Sequence, residues 1–139
     1  MIDGMGIVRT TVAVAHPARP TDTRELIDIM VDTGSEYNWL PRSLLEELGV
    51  EPVRVDRFQT ADGRELEREM GVIMLYAGGR STGTMAAFAE KGDLLRLGAH
   101  GLKGLNLRVD LVKKTLVPAG PVPAAASKVA LRRKTNTKV

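Results

Sequence analysis

The sequence predicts a mostly β domain of about seven short strands and two short helices, packed as a small barrel or a sandwich. Short segments rich in β-branched residues recur at close spacing, and turn-forming residues separate them. Only two segments have the apolar spacing that a helix requires. With 139 residues, 43% of them hydrophobic, the chain can build one core of modest size.

Two strands are predicted in the first part of the chain. Residues 6–17 alternate loosely between apolar and polar side chains and are rich in β-branched residues. Residues 18–23 are predicted to be a loop because of their Pro, Thr and Asp content. Residues 24–32 form the second predicted strand, which becomes almost wholly apolar toward its end, as is typical of a central strand.

A short helix is predicted for residues 41–50. Pro41 suits its first position, and Gly49 is a natural stop. The apolar face of this helix would be made of Leu44, Leu45 and Leu48.

The rest of the domain is predicted to be two hairpins, two further strands and a second helix. Residues 53–60 and 64–77 are strands joined by the sequence Ala-Asp-Gly, which has the chemistry of a hairpin turn. After a tight turn at 77–80 come a strand at 81–90, a strand running into a short helix at 94–105, and a final hairpin at 106–118.

The charge of the chain is unevenly distributed. Residues 111–139 carry seven of the 20 Lys and Arg residues and none of the 17 Asp and Glu residues. We therefore expect one domain at residues 1–118 and a flexible basic tail at 119–139. Contact of this tail with nucleic acid or a membrane surface is the less favoured interpretation. The tail's basic residues are Lys128, Arg132, Arg133, Lys134 and Lys138.

Several classes of site are not expected. The chain has no cysteine, so neither a disulfide framework nor a thiol nucleophile is expected. Its two histidines, His16 and His100, are far apart in the sequence, and we expect no metal and no cofactor. The first residues lack the basic and apolar regions of a signal peptide, and no apolar stretch is long enough to span a bilayer, so we expect a cytoplasmic protein.

The most informative segment is Asp-Thr-Gly-Ser at residues 32–35, at the end of the second predicted strand. An isolated triplet of this kind is often only a turn in which the Asp side chain bonds its own backbone. Here the flanks are specific. An apolar run at 29–31 precedes the aspartate, and Trp-Leu-Pro at 39–41 follows.

This segment resembles the active-site segment of the retropepsin-like aspartic proteases, and the chain looks like one of their single-domain bacterial members. Residues 78–110 resemble the back half of that fold, where a strand ends in an apolar-apolar-Gly turn before a helix. Residues 59–68 lie where the family places its flap hairpin. The resemblance covers roughly residues 5–118. It implies a small closed β-barrel of the acid-protease type, with two short helices and half of the active site in each chain.

The expected chemistry is peptide hydrolysis by two carboxylates that share one proton. Asp32 is the expected catalytic residue. Thr33 is expected to bond backbone across the pair, Gly34 to allow the tight turn and Ser35 to hydrogen-bond the carboxylate. Because Asp-Thr-Gly occurs once in the chain, the second aspartate must come from a second chain, and a homodimer is required.

The flap residues are expected at the tip of the first hairpin. Ala61 and Gly63 would offer backbone amides to a peptide substrate, as the resemblance implies, and Asp62 would shape the turn.

Three residues depart from the family pattern. Arg96 puts a cation at one apolar position of the apolar-apolar-Gly turn. Ala99 stands where retroviral members have an arginine that ties the dimer together. Asn106 stands where many bacterial relatives have glycine, and Asn tolerates a positive φ.

Two function classes remain open from the sequence. The first is an aspartic endopeptidase that acts as a homodimer on peptide or protein substrates. The second is a catalytically silent peptide-binding or scaffolding dimer of the same fold, whose basic tail contacts anionic partners. The intact Asp-Thr-Gly favours the peptidase, because a scaffold gains nothing from a costly pair of facing carboxylates.

Overall fold

The structure, a computed structural model, describes residues 7–124. The described part contains nine strands and two helices, so the prediction of a mostly β chain with two short helices is confirmed. In chain order the elements are β1 Val8–Ala15, β2 Arg24–Val31, β3 Asn38–Pro41, α1 Arg42–Glu47, β4 Arg54–Gln59, β5 Glu65–Ala77, β6 Arg80–Ala89, β7 Arg96–Leu97, α2 Ala99–Leu105, β8 Leu107–Asp110 and β9 Thr115–Pro118.

Six of the strands close into a ring. The sheet order is β1-β2-β7-β3-β6-β5-β4, and an additional pairing of β1 with β5 closes the ring, with β4 outside it. Strand β2 pairs antiparallel with β1 and parallel with β7, so it is a central strand, as its sequence predicts. Strands β8 and β9 form a separate hairpin.

The main hydrophobic core contains side chains from both helices and from all six strands of the ring. Its fully buried members include Val12, Val14, Leu40, Leu45, Ile73, Leu75, Phe88, Leu97 and Leu105. A smaller cluster lies beside it and contains Trp39, Met70, Ala87 and Ala89, against which Phe58 and Leu66 pack. The second cluster therefore anchors the β4–β5 hairpin to the body of the domain.

The helix predicted at 41–50 begins later than its sequence suggests. The residues before it form β3, whose Trp39 and Leu40 pair in parallel with Ala87 and Phe88 of β6. Pro41 ends this strand and caps the helix with φ −59° and ψ 132°, so it is not the first helical residue. Proline is compatible with both the end of a strand and the start of a helix, so the sequence alone does not place Pro41. The pairing of β3 with β6 makes it the last residue of the strand.

The C-terminal hairpin is joined to α2 through Asn106. This residue ends the helix with φ 55° and ψ 45°, which confirms that Asn here adopts a positive φ. Its carbonyl oxygen accepts a hydrogen bond from the Ala119 amide at 2.9 Å, and its side-chain amide donates to the Gly120 carbonyl at 3.0 Å. Thus the first two residues of the predicted tail are bonded to the body of the domain.

Most of the predicted tail lies outside the described residues, including all five of its basic residues. The flexible tail and its alternative contact with nucleic acid or a membrane surface therefore remain predictions. The cytoplasmic location is also still a prediction. Between residues 7 and 124, neither helix is long and apolar enough to cross a membrane.

Candidate active site

The end of β2 and the turn that follows it fix the position of Asp32. The Asp32 amide donates to the Leu97 carbonyl of β7 at 2.9 Å, which ties the residue to the neighbouring strand. The chain then turns, with the Ser35 amide donating to the Asp32 carbonyl at 3.1 Å. The Gly34 amide donates to Oδ1 of Asp32 at 3.0 Å and orients the carboxylate. The Asp32 side chain is 34% exposed, so it can be reached from solvent.

The turn after Asp32 is docked on the start of helix α2. The Ser35 carbonyl accepts a hydrogen bond from the Ala99 amide at 2.7 Å, and the Glu36 carbonyl accepts one from the His100 amide at 3.0 Å. Gly98 makes this approach possible, because a Cβ atom there would lie 2.3 Å from the Tyr37 carbonyl oxygen. The Asp-Thr-Gly turn is thus held by backbone hydrogen bonds on both sides.

The three residues that were expected to support the Asp32 carboxylate differ in their hydrogen bonds. Gly34 bonds the Asp32 carboxylate through its amide. The Ser35 hydroxyl donates to the Tyr37 carbonyl at 2.8 Å and not to Asp32. Thr33 is exposed, and its hydroxyl makes no hydrogen bond with any of residues 7–124. Its expected bond across a pair of chains therefore remains a prediction.

Asn38 is a buried polar residue that the sequence reasoning missed. Its side chain is 0% exposed, donates to the Met85 carbonyl of β6 at 2.9 Å and accepts from the Gly98 amide at 3.0 Å. It therefore links β3 to β6 on one side and to Gly98, at the start of helix α2, on the other. The sequence contained one indication of this role, a single polar residue directly before the apolar pair Trp-Leu.

Arg96 lies beside Asp32. Its Nη1 atom is 3.5 Å from Oδ2 of Asp32, and its guanidinium carbon stands 4.9 Å from the centre of the Trp39 ring. Its Nε atom is buried and has no hydrogen-bond partner among residues 7–124. The sequence marks Arg96 as a departure from the family pattern, but only the fold shows that it contacts the catalytic candidate.

A cleft of about 750 Å³ separates the Asp32 turn from the β4–β5 hairpin. Asp32, Gly34 and Arg96 contribute to one side of the cleft, and Phe58, Thr60 and Ala61 contribute to the other. The structure therefore brings Ala61, one of the three expected flap residues, to the same cavity as Asp32. Asp62 and Gly63 lie at the tip of the hairpin and do not line the cavity.

The hairpin tip is a tight turn stabilised by its own side chains. The Gly63 amide donates to the Thr60 carbonyl at 2.9 Å, and Gly63 has φ +88°, a value that favours glycine. The Asp62 carboxylate accepts hydrogen bonds from the Thr60 hydroxyl and the Arg64 guanidinium, which lower its pKa in that order. The expected role of Asp62 at the flap remains a prediction.

The described part of the chain offers no metal site of the usual kind. Between residues 7 and 124, no three His, Asp or Glu side chains come together in a group that could hold an ion.

The cleft lies within the part of the chain that matches a known family. Residues 24–94, just over half of the chain, match the aspartyl protease family. The chain belongs to that family. The match includes both the Asp32 turn and the β4–β5 hairpin of this aspartyl protease, and it confirms the resemblance found in the sequence.

Solved structures match this aspartyl protease as well. Among them is the solution structure of the simian foamy virus (mac) protease, at 15% sequence identity and a TM-score of 0.46. The match covers 68% of this chain and 92% of the viral chain. No curated protein matches the chain.

Proposed function

We propose that this aspartyl protease is an endopeptidase that acts as a homodimer and cleaves peptide bonds with a water molecule held between two Asp32 carboxylates. The observation that carries the proposal is the placement of Asp32. Its backbone is fixed at the end of a central strand, its carboxylate is oriented by the Gly34 amide, and it faces a cleft with a hairpin opposite.

A second chain is needed because the other two carboxylates that line the cleft, Glu36 and Asp93, are placed differently from Asp32. Asp93 is bound by the Arg68 guanidinium through two hydrogen bonds, at 2.7 and 3.0 Å. The Glu36 side chain is 75% exposed and stands 3.6 Å from the ring of His100. Asp-Thr-Gly occurs once in the sequence, so a second copy of Asp32 has to come from a symmetric partner.

The chemistry follows from two carboxylates that hold a single proton between them. The ionised carboxylate takes a proton from the water molecule, and the water oxygen attacks the peptide carbonyl carbon. The protonated carboxylate donates its proton to the carbonyl oxygen, and a tetrahedral gem-diol forms. Collapse of this intermediate returns the hydroxyl proton to one carboxylate, while a proton from the other reaches the leaving nitrogen. The C–N bond breaks, and a carboxylic acid and an amine leave.

The cleft suits an extended peptide. Backbone groups of the Asp32 turn lie on one side, and the β4–β5 hairpin with Ala61 lies on the other, so a chain between them meets hydrogen-bonding groups on both sides. Phe58 and Leu66 line the same cleft and provide apolar contact.

The substitution Asp32→Asn tests the proposal. It keeps the shape of the side chain but removes the carboxylate, so we expect kcat on a cleavable peptide to fall by at least about a thousandfold. Asp28→Asn is the matched control, since Asp28 lies on the same strand, is exposed and has φ 57°, which Asn also adopts. The control should keep full activity.

The fold of each variant is checked by thermal unfolding before its activity is measured. A folded Asp32→Asn protein that still cleaves peptide would rule out Asp32 as the catalytic residue. A folded wild-type dimer that cleaves no member of a random peptide library would instead support the silent peptide-binding alternative.

A further inference from the structure

The cleft contains a cation whose hydrogen-bonding capacity is unused. The Arg96 guanidinium has five N–H donors, yet none of them makes a hydrogen bond with any of residues 7–124. Its Nη1 atom is 3.5 Å from Oδ2 of Asp32, which is longer than the usual 2.7–3.2 Å or so of a hydrogen bond. Leaving a partly buried guanidinium without acceptors is costly, so the site is suited to receive an acceptor from a ligand.

Arg96 is held rigidly in this position. Its backbone lies in β7 and pairs with Trp39 of β3. Its guanidinium stacks on the Trp39 ring, which is itself only 5% exposed. The side chain of Arg96 is 24% exposed, so the planar group is fixed by packing while part of it still faces the cleft. A donor that is already ordered loses little entropy when it binds an anion.

The other arginines that line the cleft each have a carboxylate as a hydrogen-bonded partner. Arg57 is paired with Glu65 at 2.9 Å, and Arg64 is paired with Asp62 at 3.1 Å. Both pairs are exposed at the hairpin, far more than Arg96. Among the described residues, Arg96 is therefore the arginine of the cleft that is partly buried and whose guanidinium donors have no hydrogen-bond partner.

The charges of the proposed dimer favour an anion at this position. Two copies of Arg96 bring two positive charges to the centre of the joint cleft. The two Asp32 carboxylates carry one negative charge when they share one proton. The centre of the active form is thus left with an excess of positive charge, in a site where solvent screens charges less than at the surface.

We propose that Arg96 binds the carboxylate of an Asp or Glu side chain next to the cleaved bond, so that this protease prefers acidic peptides. The proposal rests on the proposed function and names its substrate class. Because the two copies of Arg96 are related by a two-fold axis, the acidic residue can lie on either side of the cleaved bond.

The first experiment measures cleavage. Peptides with acetylated and amidated ends, which carry no terminal charge, are made in pairs that differ only by Glu or Gln beside the cleaved bond. We expect wild-type kcat/KM to be about tenfold higher for the Glu peptide, the size of a charge-assisted hydrogen bond in a partly buried site. Arg96→Leu should reduce the ratio to about one. Arg57→Leu, a matched loss of charge in the same cleft, should keep the wild-type ratio.

The second experiment measures binding and does not depend on turnover. The same peptide pairs are titrated calorimetrically into the Asp32→Asn protein, with and without Arg96→Leu. We expect the Glu peptide to bind about tenfold more tightly than the Gln peptide, and only when Arg96 is present.

The outcomes separate this inference from the proposed function. Binding selectivity that depends on Arg96, without any cleavage by the wild type, would support the acidic-peptide site and overturn the endopeptidase. Cleavage with equal rates for Glu and Gln peptides, or a preference that survives Arg96→Leu, would overturn the role of Arg96 and leave the endopeptidase standing. A preference for peptides with a free C-terminus over blocked ones would show that the site binds a terminal carboxylate, and would overturn the side-chain assignment.

Discussion

The Asn38 side chain accepts a hydrogen bond from the Gly98 amide at 3.0 Å, although the two residues are 60 positions apart in the chain. Asn38 is the one polar residue that is fully buried in the described part of the chain. Its amide nitrogen also donates to the Met85 carbonyl at 2.9 Å. This side chain therefore joins three segments around the Asp32 turn, and the geometry of the candidate site depends on it.

We expect Asn38→Leu to lower the free energy of unfolding by about 2–4 kcal/mol. Leucine has the same branched shape but leaves the Gly98 amide and the Met85 carbonyl without partners, at about 1–3 kcal/mol each. The measurement is urea unfolding at one fixed protein concentration, since the stability of the proposed dimer would depend on concentration. Gln59→Leu is the control, because Gln59 is an exposed amide on β4, and its loss should cost under about 0.5 kcal/mol. Equal unfolding midpoints for the two variants would contradict the role given to Asn38.

Gly98 is needed at the start of helix α2 because there is no room for a side chain at this position. A Cβ atom at this position would lie 2.3 Å from the Tyr37 oxygen and 2.7 Å from the Ser35 oxygen. We expect Gly98→Ala to separate the Asp32 turn from helix α2, to cost at least about 2 kcal/mol of stability and to abolish peptide cleavage. Gly83→Ala is the control, since its added Cβ would meet only the Met74 sulfur, at an ordinary 3.7 Å. A Gly98→Ala protein with normal stability and activity would show that the turn can move without loss.

The Arg68–Asp93 pair makes stability depend on pH. The Arg68 guanidinium, which binds the Asp93 carboxylate with two hydrogen bonds, lowers the pKa of that carboxylate. A lowered folded-state pKa means that Asp93 contributes its full stabilisation above the unfolded value of about 3.9. That contribution is lost as the pH falls through the folded-state pKa.

We therefore expect wild-type stability to fall between about pH 5 and pH 3 by more than that of the Asp93→Asn variant. Urea unfolding at a series of pH values measures the difference. Glu65→Gln is the control, because the Arg57–Glu65 pair is exposed, with side-chain exposures of 67% and 58%, and such pairs contribute little. If Asp93→Asn and the wild type lose stability in parallel across this range, the pair does not stabilise the fold.

The position of the catalytic candidate could be predicted from sequence because the signal is local. An apolar strand followed by Asp-Thr-Gly-Ser specifies both the strand end and the turn, and the structure has both. The same holds for the hairpin turn at Gly63 and for Asn106, whose positive φ is a property of the residue itself. Each of these depends on a few consecutive residues.

The features that the sequence did not reveal depend on distant partners. Strand β3 looks like the entry to a helix until its pairing with β6 is known. Asn38 is an unremarkable polar residue until the fold places it between Met85 and Gly98. Arg96 is visible as an exception to a pattern, but its stacking on Trp39 joins residues 57 positions apart and requires β3 to pair with β7.

Mixing wild-type and Asp32→Asn chains tests whether each active site needs both aspartates. With a ninefold excess of variant and random exchange of chains, a wild-type chain meets another wild-type chain in about one case in ten. If a mixed dimer is inactive, the initial rate should fall to about one tenth of that of the same wild-type protein alone. The fall should develop at the rate of subunit exchange, so the activity measured directly after mixing is the internal control. Substrate is kept in large excess over all protein, so that binding to variant dimers does not deplete it. Exchange itself is followed by co-purification of tagged and untagged chains. A rate that stays constant after exchange is complete would mean that a single Asp32 is sufficient, and the shared-proton mechanism would be wrong.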